Sequence, residues 1–313
     1  MLNEQAQKMM DAAKSSGLPP VCSLAVPEAR ERMRKAFIRI DGVEEVASVR
    51  EERIPLPDRS IGIRMYAPGP GPDMPCILFF HGGGWTLNDL DTHDDLCRSL
   101  CNDVGAIVVS VDFRRAPEHK FPAAIDDSYA ALEWVFENHG RLGIDAERIA
   151  VAGDSSGATQ ATVVCRLAKE RGLHAVRYQW LLYPVTDYYD RHTESYVENA
   201  TGYSLDREMM VWFWGNYIDD TTDREDSRLC PLRCDDLSGM PPGLVMTANY
   251  DPLRDEGEAY AKRMAEAGVD IELIRYEDQM HGFILQRRRI DTADIAYRDA
   301  VSRLRKALSV SNG

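Results

Sequence analysis

The sequence is short of basic residues. Against 51 Asp and Glu stand 37 Lys and Arg, giving a net charge of −14. Nucleic-acid and anionic-membrane binders present a basic face, and this chain supplies none. Its densest cluster, Arg287-Arg288-Arg289, is short and flanked by Asp291 and Asp294, and reads as a solvated helix start. There is no apolar run approaching ~18 residues, so no membrane span is expected. The first residues, Met1-Leu2-Asn3-Glu4-Gln5, lack the charged-then-apolar pattern of a secretion signal. Seven cysteines cannot all pair, and no histidine stands at zinc-finger spacing from Cys97/Cys101 or Cys230/Cys234. Free thiols, no metal and a cytoplasmic setting are expected. Internal repeats and low-complexity linkers are also missing. At 313 residues and 44% hydrophobic content, the chain can bury a large core without disulfides.

What is present alternates. Residues 1–45 read as two amphipathic helical stretches broken at Pro19-Pro20, the second from Glu28 to Ile38. Two extended runs, Arg50–Leu56 and Ser60–Tyr66, flank a turn at Pro57-Asp58-Arg59. Strands are then expected at Cys76–Phe80, Ala106–Phe113, Arg148–Gly153, Tyr178–Tyr183, Gly243–Ala248 and Ile271–Tyr276. Helices are expected at 89–103, Pro122–His139, Gly157–Arg171, 254–268 and 292–308. Short, fully apolar strands alternating with helices predict a mostly parallel sheet covered on both faces. Residues 186–235 break the rhythm with a strandless, aromatic-rich insertion containing Trp212-Phe213-Trp214, the usual form of a lid.

Gly153-Asp154-Ser155-Ser156-Gly157 matches G-x-S-x-G between a strand and a helix. At such an elbow the nucleophile, Ser155, occupies a strained turn, and side chains at Gly153 and Gly157 would strike neighbouring backbone. Ser156 offers its backbone N–H. His81-Gly82-Gly83-Gly84-Trp85 follows the buried strand 76–80. Three consecutive glycines cost entropy and suit backbone N–H groups that must approach a developing oxyanion. A phosphate loop fails on detail: neither G-x-x-x-x-G-K-[ST] nor G-x-G-x-x-G is present there.

A serine needs a base oriented by a carboxylate, and in this architecture the chain order is Ser, acid, His. His174 lies in a helix–strand loop and His192 in the insertion; His281 follows the last strand and is the expected base. Asp251 follows the strand Gly243–Ala248 and is the expected acid; its competitor Asp255 falls inside the next helix.

HGGGW at 81–85, GDSSG at 153–157, DPLRDE at 251–256 and HGF at 281–283 resemble the hormone-sensitive-lipase-like α/β-hydrolases over roughly residues 45–310. The run from Asn88 to Asp94 adds a likeness to bacterial acetyl esterases. The resemblance implies an α/β-hydrolase fold: an eight-stranded, mostly parallel sheet with helices on both faces. It implies a catalytic core of 46–185 and 236–313 under a helical cap drawn from 1–45 and 186–235. It further implies no cofactor and hydrolysis of short acyl esters, with Ser155, Asp251 and His281 as catalytic residues. Gly83, Gly84 and the Ser156 N–H would form the oxyanion hole, with Gly82 in the same loop. Trp85, Tyr183, Trp212, Phe213 and Ile284 are expected to line the substrate pocket. The expected partner is a small acyl ester, with no nucleic acid or membrane; a homodimer is possible. Two positions depart from the family pattern: Ser156 for the usual Ala, and Ala158 for Gly. The Ser156 hydroxyl is expected to alter the acyl pocket. An amidase on the same residues stays open. A ligand receptor on this fold would be marked by an incomplete triad, and here all three members are present.

Overall fold

The computed structural model describes residues 1–37 and 42–309. Along the chain come α1 (Glu4–Ser15), α2 (Val26–Phe37), β1 (Ser48–Pro55), β2 (Ser60–Ala67), β3 (Met74–Phe80) and α3 (Asp94–Val104). Next are β4 (Ile107–Asp112), α4 (Ala123–Glu137), α5 (His139–Leu142), β5 (Ile144–Asp154), α6 (Ser156–Glu170) and β6 (Val176–Leu182). The chain continues through α7 (Glu194–Glu198), α8 (Arg207–Tyr217), β7 (Gly243–Tyr250), α9 (Arg254–Glu266), β8 (Ile271–Met280) and α10 (Asp291–Leu308). The eight strands form one sheet in the order β1-β2-β4-β3-β5-β6-β7-β8. The hairpin β1–β2 and the pair β2–β4 are antiparallel, and the other pairs are parallel.

The apolar runs make the sheet a core with two sides. In β3, Cys76, Leu78 and Phe80 enter the side packed by α4, α6 and α9, while Ile77 and Phe79 enter the side packed by α3 and α10. That alternation is the two-residue period of a strand buried on both faces.

The expected elements are present, with shifted ends. The helix expected from 89 begins at Asp94, because Asp89 Oδ1 accepts the Asp91 and Thr92 N–H groups and holds 88–93 as a turn. Pro122 caps α4 instead of opening its first turn. The second amphipathic stretch runs to Phe37; Ile38 lies outside the described residues. The arginine cluster is not the solvated start it looked to be. Arg287 is buried, donates to Asp95 and Ser99, and lies over the Tyr297 ring. Arg288 pairs with Asp95 and Glu44. Six of the seven free cysteines are buried. No helix among the described residues is long and apolar enough to cross a membrane.

Candidate active site

β5 runs straight into Ser155, which adopts φ 55° and ψ −123°. A non-glycine residue held there stores about 1–3 kcal/mol of strain. The elbow is fixed by the Ser155 N–H donating to the Leu182 carbonyl of β6 at 2.8 Å. Its glycines are required by space. A Cβ on Gly157 would lie 2.0 Å from the Phe80 carbonyl oxygen, and one on Gly153 would lie 2.4 Å from the Gly157 carbonyl. The N-terminus of α6 then faces the serine with its unpaired N–H groups and positive dipole end.

The structure brings Ser155, His281 and Asp251 together. His281 Nε2 lies 3.0 Å from Ser155 Oγ, and Nδ1 lies 2.6 Å from Asp251 Oδ2. The carboxylate accepts at Nδ1, so Nδ1 carries the proton and Nε2 accepts from the serine hydroxyl. Asp251, at the end of β7, is fully buried and also receives the Leu253 N–H at 2.9 Å. Its own carbonyl accepts from Asn199 Nδ2, and the His281 carbonyl accepts from Ser204 Oγ at 2.7 Å. The insertion between β6 and β7 thus fastens both loops. Asp255 faces elsewhere: it receives the Ser195 N–H at 2.7 Å and pairs with Arg254. His174 lies between α6 and β6, and His192 ends a short turn at 189–191.

Gly83 and Gly84 occupy φ 111° and 57°, a backbone that favours glycine. Among the described residues their N–H groups meet no acceptor. Gly82 differs from its expected part in the oxyanion hole. Its N–H is committed to Asp154 Oδ1 at 2.7 Å, and a Cβ there would lie 2.4 Å from Oδ2 of the same carboxylate. Gly82 therefore anchors the loop. Ser156 keeps its N–H at the first turn of α6; its side chain is fully buried, and Oγ accepts the Trp85 N–H at 3.1 Å.

Sequence reasoning passed over the support for this loop. Asp154 also meets His93 Nε2 at 3.0 Å, and His93 and Asp154 are both buried. Burial opposes ionisation of Asp154, but His93 and the Gly82 N–H outweigh it and hold the carboxyl below the usual carboxylate range. His81 stacks on Phe113 and meets the Gly82 carbonyl through Nδ1 at 2.8 Å. Burial, then the neighbouring His93, push its imidazole down to about 3. Asp154 was visible inside the GDSSG motif; His93, sixty-one residues away in sequence, had only its place in the Asn88–Asp94 run as a signal.

Of the expected pocket residues, Phe213 of α8 lies directly on Gly84, and the Tyr183 ring lies 4.6 Å from that of His281. Trp85 stacks on Tyr217 at 4.1 Å and meets Trp214 at 5.0 Å, tying the glycine loop to α8. Trp212 is half-buried with its ring 5.4 Å from Phe213. Ile284 is fully buried in the core on the α10 side.

Residues 77–285 match a family described as having the alpha/beta hydrolase fold. The carboxylic ester hydrolase LipN of Mycobacterium tuberculosis is 40% identical over 293 residues, covering 90% of this chain and 77% of the relative. The ethyl acetate hydrolase of Pseudomonas putida is 35% identical over 294 residues, covering 92% of each. A solved structure of a hyperthermophilic esterase from Pyrobaculum calidifontis superposes with a TM-score of 0.94 at 36% identity, covering 98% of this chain and 99% of that one. The chain belongs to the α/β-hydrolase fold family, in its hormone-sensitive-lipase-like branch, and is a carboxylic ester hydrolase.

Proposed function

We propose that this enzyme hydrolyses short-chain acyl esters through an acyl-serine intermediate. The observation that carries the reading is the unbroken hydrogen-bond path from Ser155 Oγ through His281 to Asp251, at 3.0 and 2.6 Å. Ser155 Oγ attacks the ester carbonyl carbon as its proton passes to His281 Nε2. The carbonyl oxygen becomes an oxyanion that accepts from the Gly83, Gly84 and Ser156 N–H groups. Asp251 holds the imidazole tautomer and stabilises the imidazolium. Collapse breaks the bond to the leaving alcohol, which takes the proton from His281. Water then attacks the acyl-serine, gives its proton to His281, and releases the acid as that proton returns to Ser155.

The preference for short acyl groups is supported by bulk around the site: Phe213 rests on the glycine loop and Tyr183 on the histidine. In this reading residues 46–185 and 236–313 form the catalytic core, and 1–45 with 186–235 form the cap. Contacts of α2 support that division, since Arg30 donates to the carbonyls of Thr86 and Ala116 beyond the glycine loop.

The test compares kcat/KM for p-nitrophenyl acetate, butyrate and octanoate with that for an acyl anilide. Acetate or butyrate should be fastest and the anilide slowest; an anilide that outruns the esters turns the reading to an amidase. Ser155→Ala should fold and lose turnover, and full activity in that variant rejects the assigned nucleophile.

A further inference from the structure

The two chain neighbours of Ser155 each hold one N–H of the loop that follows β3. Asp154 Oδ1 takes the N–H of Gly82 at 2.7 Å, and Ser156 Oγ takes that of Trp85 at 3.1 Å. The two N–H groups between them, of Gly83 and Gly84, are left without an acceptor among the described residues. Both holding side chains are buried.

The loop needs such holding. Gly83, Gly84 and Trp85 run consecutively at φ 111°, 57° and 56°. The left-handed region is disfavoured for tryptophan, so the conformation persists only where surrounding bonds over-determine it. The Trp85 carbonyl is fixed by the Ala116 N–H at 2.8 Å, and the Gly83 carbonyl by the Leu87 N–H at 2.8 Å. What ties the loop to the nucleophile, instead of to itself, is the pair of side chains at 154 and 156.

We propose that Asp154 and Ser156 are positioning residues that register the Gly83 and Gly84 donors against the serine they flank. Because both clamps are covalent neighbours of Ser155, any shift of the elbow carries the loop with it, and the distance from nucleophile to oxyanion donors is kept. Such a distance matters: a misplacement of about 1 Å can cost about 100-fold in rate. Ser156, where the family pattern usually has Ala, supplies the second of the two clamps.

The inference rests on the acyl-serine reading, and the test separates the two. Full-length wild type, Ser156→Ala, Asp154→Asn and Ser155→Ala are titrated with a p-nitrophenyl alkylphosphonate. One equivalent of p-nitrophenol per chain from the first three, and none from Ser155→Ala, is the expected result. No release from wild type overturns the serine reading itself.

With labelling intact, kcat, KM and the Ki of an alkyl trifluoromethyl ketone, which forms a tetrahedral adduct on the serine, are then measured. Loss of one hydrogen bond of ordinary strength predicts kcat about fivefold lower in Ser156→Ala, with KM within twofold of wild type. Asp154→Asn should fall further, because its amide also confronts His93. In both, the ketone should weaken by the factor lost from kcat/KM. Ser156→Ala removes one oxygen and installs the residue usual in the family, so it folds and keeps the test open if Asp154→Asn does not. Values of kcat and Ki within twofold of wild type in the folded variants overturn the proposal, as does a fall in kcat with ketone affinity unchanged.

Discussion

The ring of Phe213 lies against the backbone of Gly84, so close that a Cβ added to the glycine would sit 2.1 Å from ring carbon Cδ1. Gly84 stands in the glycine loop and Phe213 on α8 of the insertion, so the contact joins the insertion to the glycine loop. Gly84→Ala also meets a positive φ of 57°. It should push the ring or the loop aside and cost about 100-fold or more in kcat, the scale of losing an oxyanion donor. Phe213→Ala should instead keep kcat for acetate esters within about tenfold while raising relative activity on octanoate. Steady-state kinetics on the ester series decide; an unchanged octanoate-to-acetate ratio counts against Phe213 as a wall of the pocket.

Acid should weaken the fold through His81. Its folded imidazole is pushed down to about 3, whereas the unfolded side chain titrates near ~6.5. Between those values the unfolded chain holds the extra proton, so stability falls as pH drops, by at most ~1.4 kcal/mol per unit. Asp154, held ionised, adds its loss only below about pH 4. Urea unfolding of wild type and His81→Gln between pH 6.5 and 5 should give a shallower pH slope for the variant. Equal slopes would remove His81 from the account.

Asp127 ties the antiparallel hairpin to α4. Its buried carboxylate accepts from Arg59 at 2.9 Å and from Arg114 through its backbone N–H and guanidinium, all at 2.9 Å. Asp127→Ala should cost about 3 kcal/mol, the low end for breaking a buried pair. The discount is for Arg59 and Arg114, whose side chains keep 26% and 30% of their surface in water. Denaturant titration at neutral pH measures it, and a cost under ~1 kcal/mol would mean that water replaces the carboxylate.

Thiol reagents should find one site. Cys22 alone is partly exposed; the other six cysteines are buried. Burial, then Glu208 and Asp206, raise the Cys22 thiol, so its labelling should be slow at neutral pH and accelerate as pH rises. A disulfide-exchange dye should report one thiol per folded chain and seven in denaturant. Rapid labelling of several thiols in the folded enzyme would mean that the core opens locally.

Much of the site was legible because its chemistry is local. The Gly153 and Gly157 requirement is a matter of a few backbone atoms around one turn, and it appears as G-x-S-x-G. The choice of Asp251 over Asp255 followed from position after a strand instead of within a helix. The bonds at 2.6 and 2.9 Å to His281 and the Leu253 N–H agree with that reasoning. The burial of Arg287 was not legible, since its partners Asp95 and Ser99 come from α3, nearly two hundred residues earlier. The role of Gly82 was obscured in the same way: three glycines in a row look equivalent until Asp154 claims one of their N–H groups.

The sequence by itself determined the strand–helix alternation, the elbow and the chain order of Ser155, Asp251 and His281, because each depends on periodicity or on neighbours along the chain. The tertiary structure alone decided which loop N–H groups meet no acceptor among the described residues, which aromatic rings meet the glycine loop and His281, and which charges are buried. Those outcomes depend on distances between segments that meet only when the sheet assembles, and hydrogen bonds and close contacts change within a fraction of an ångström.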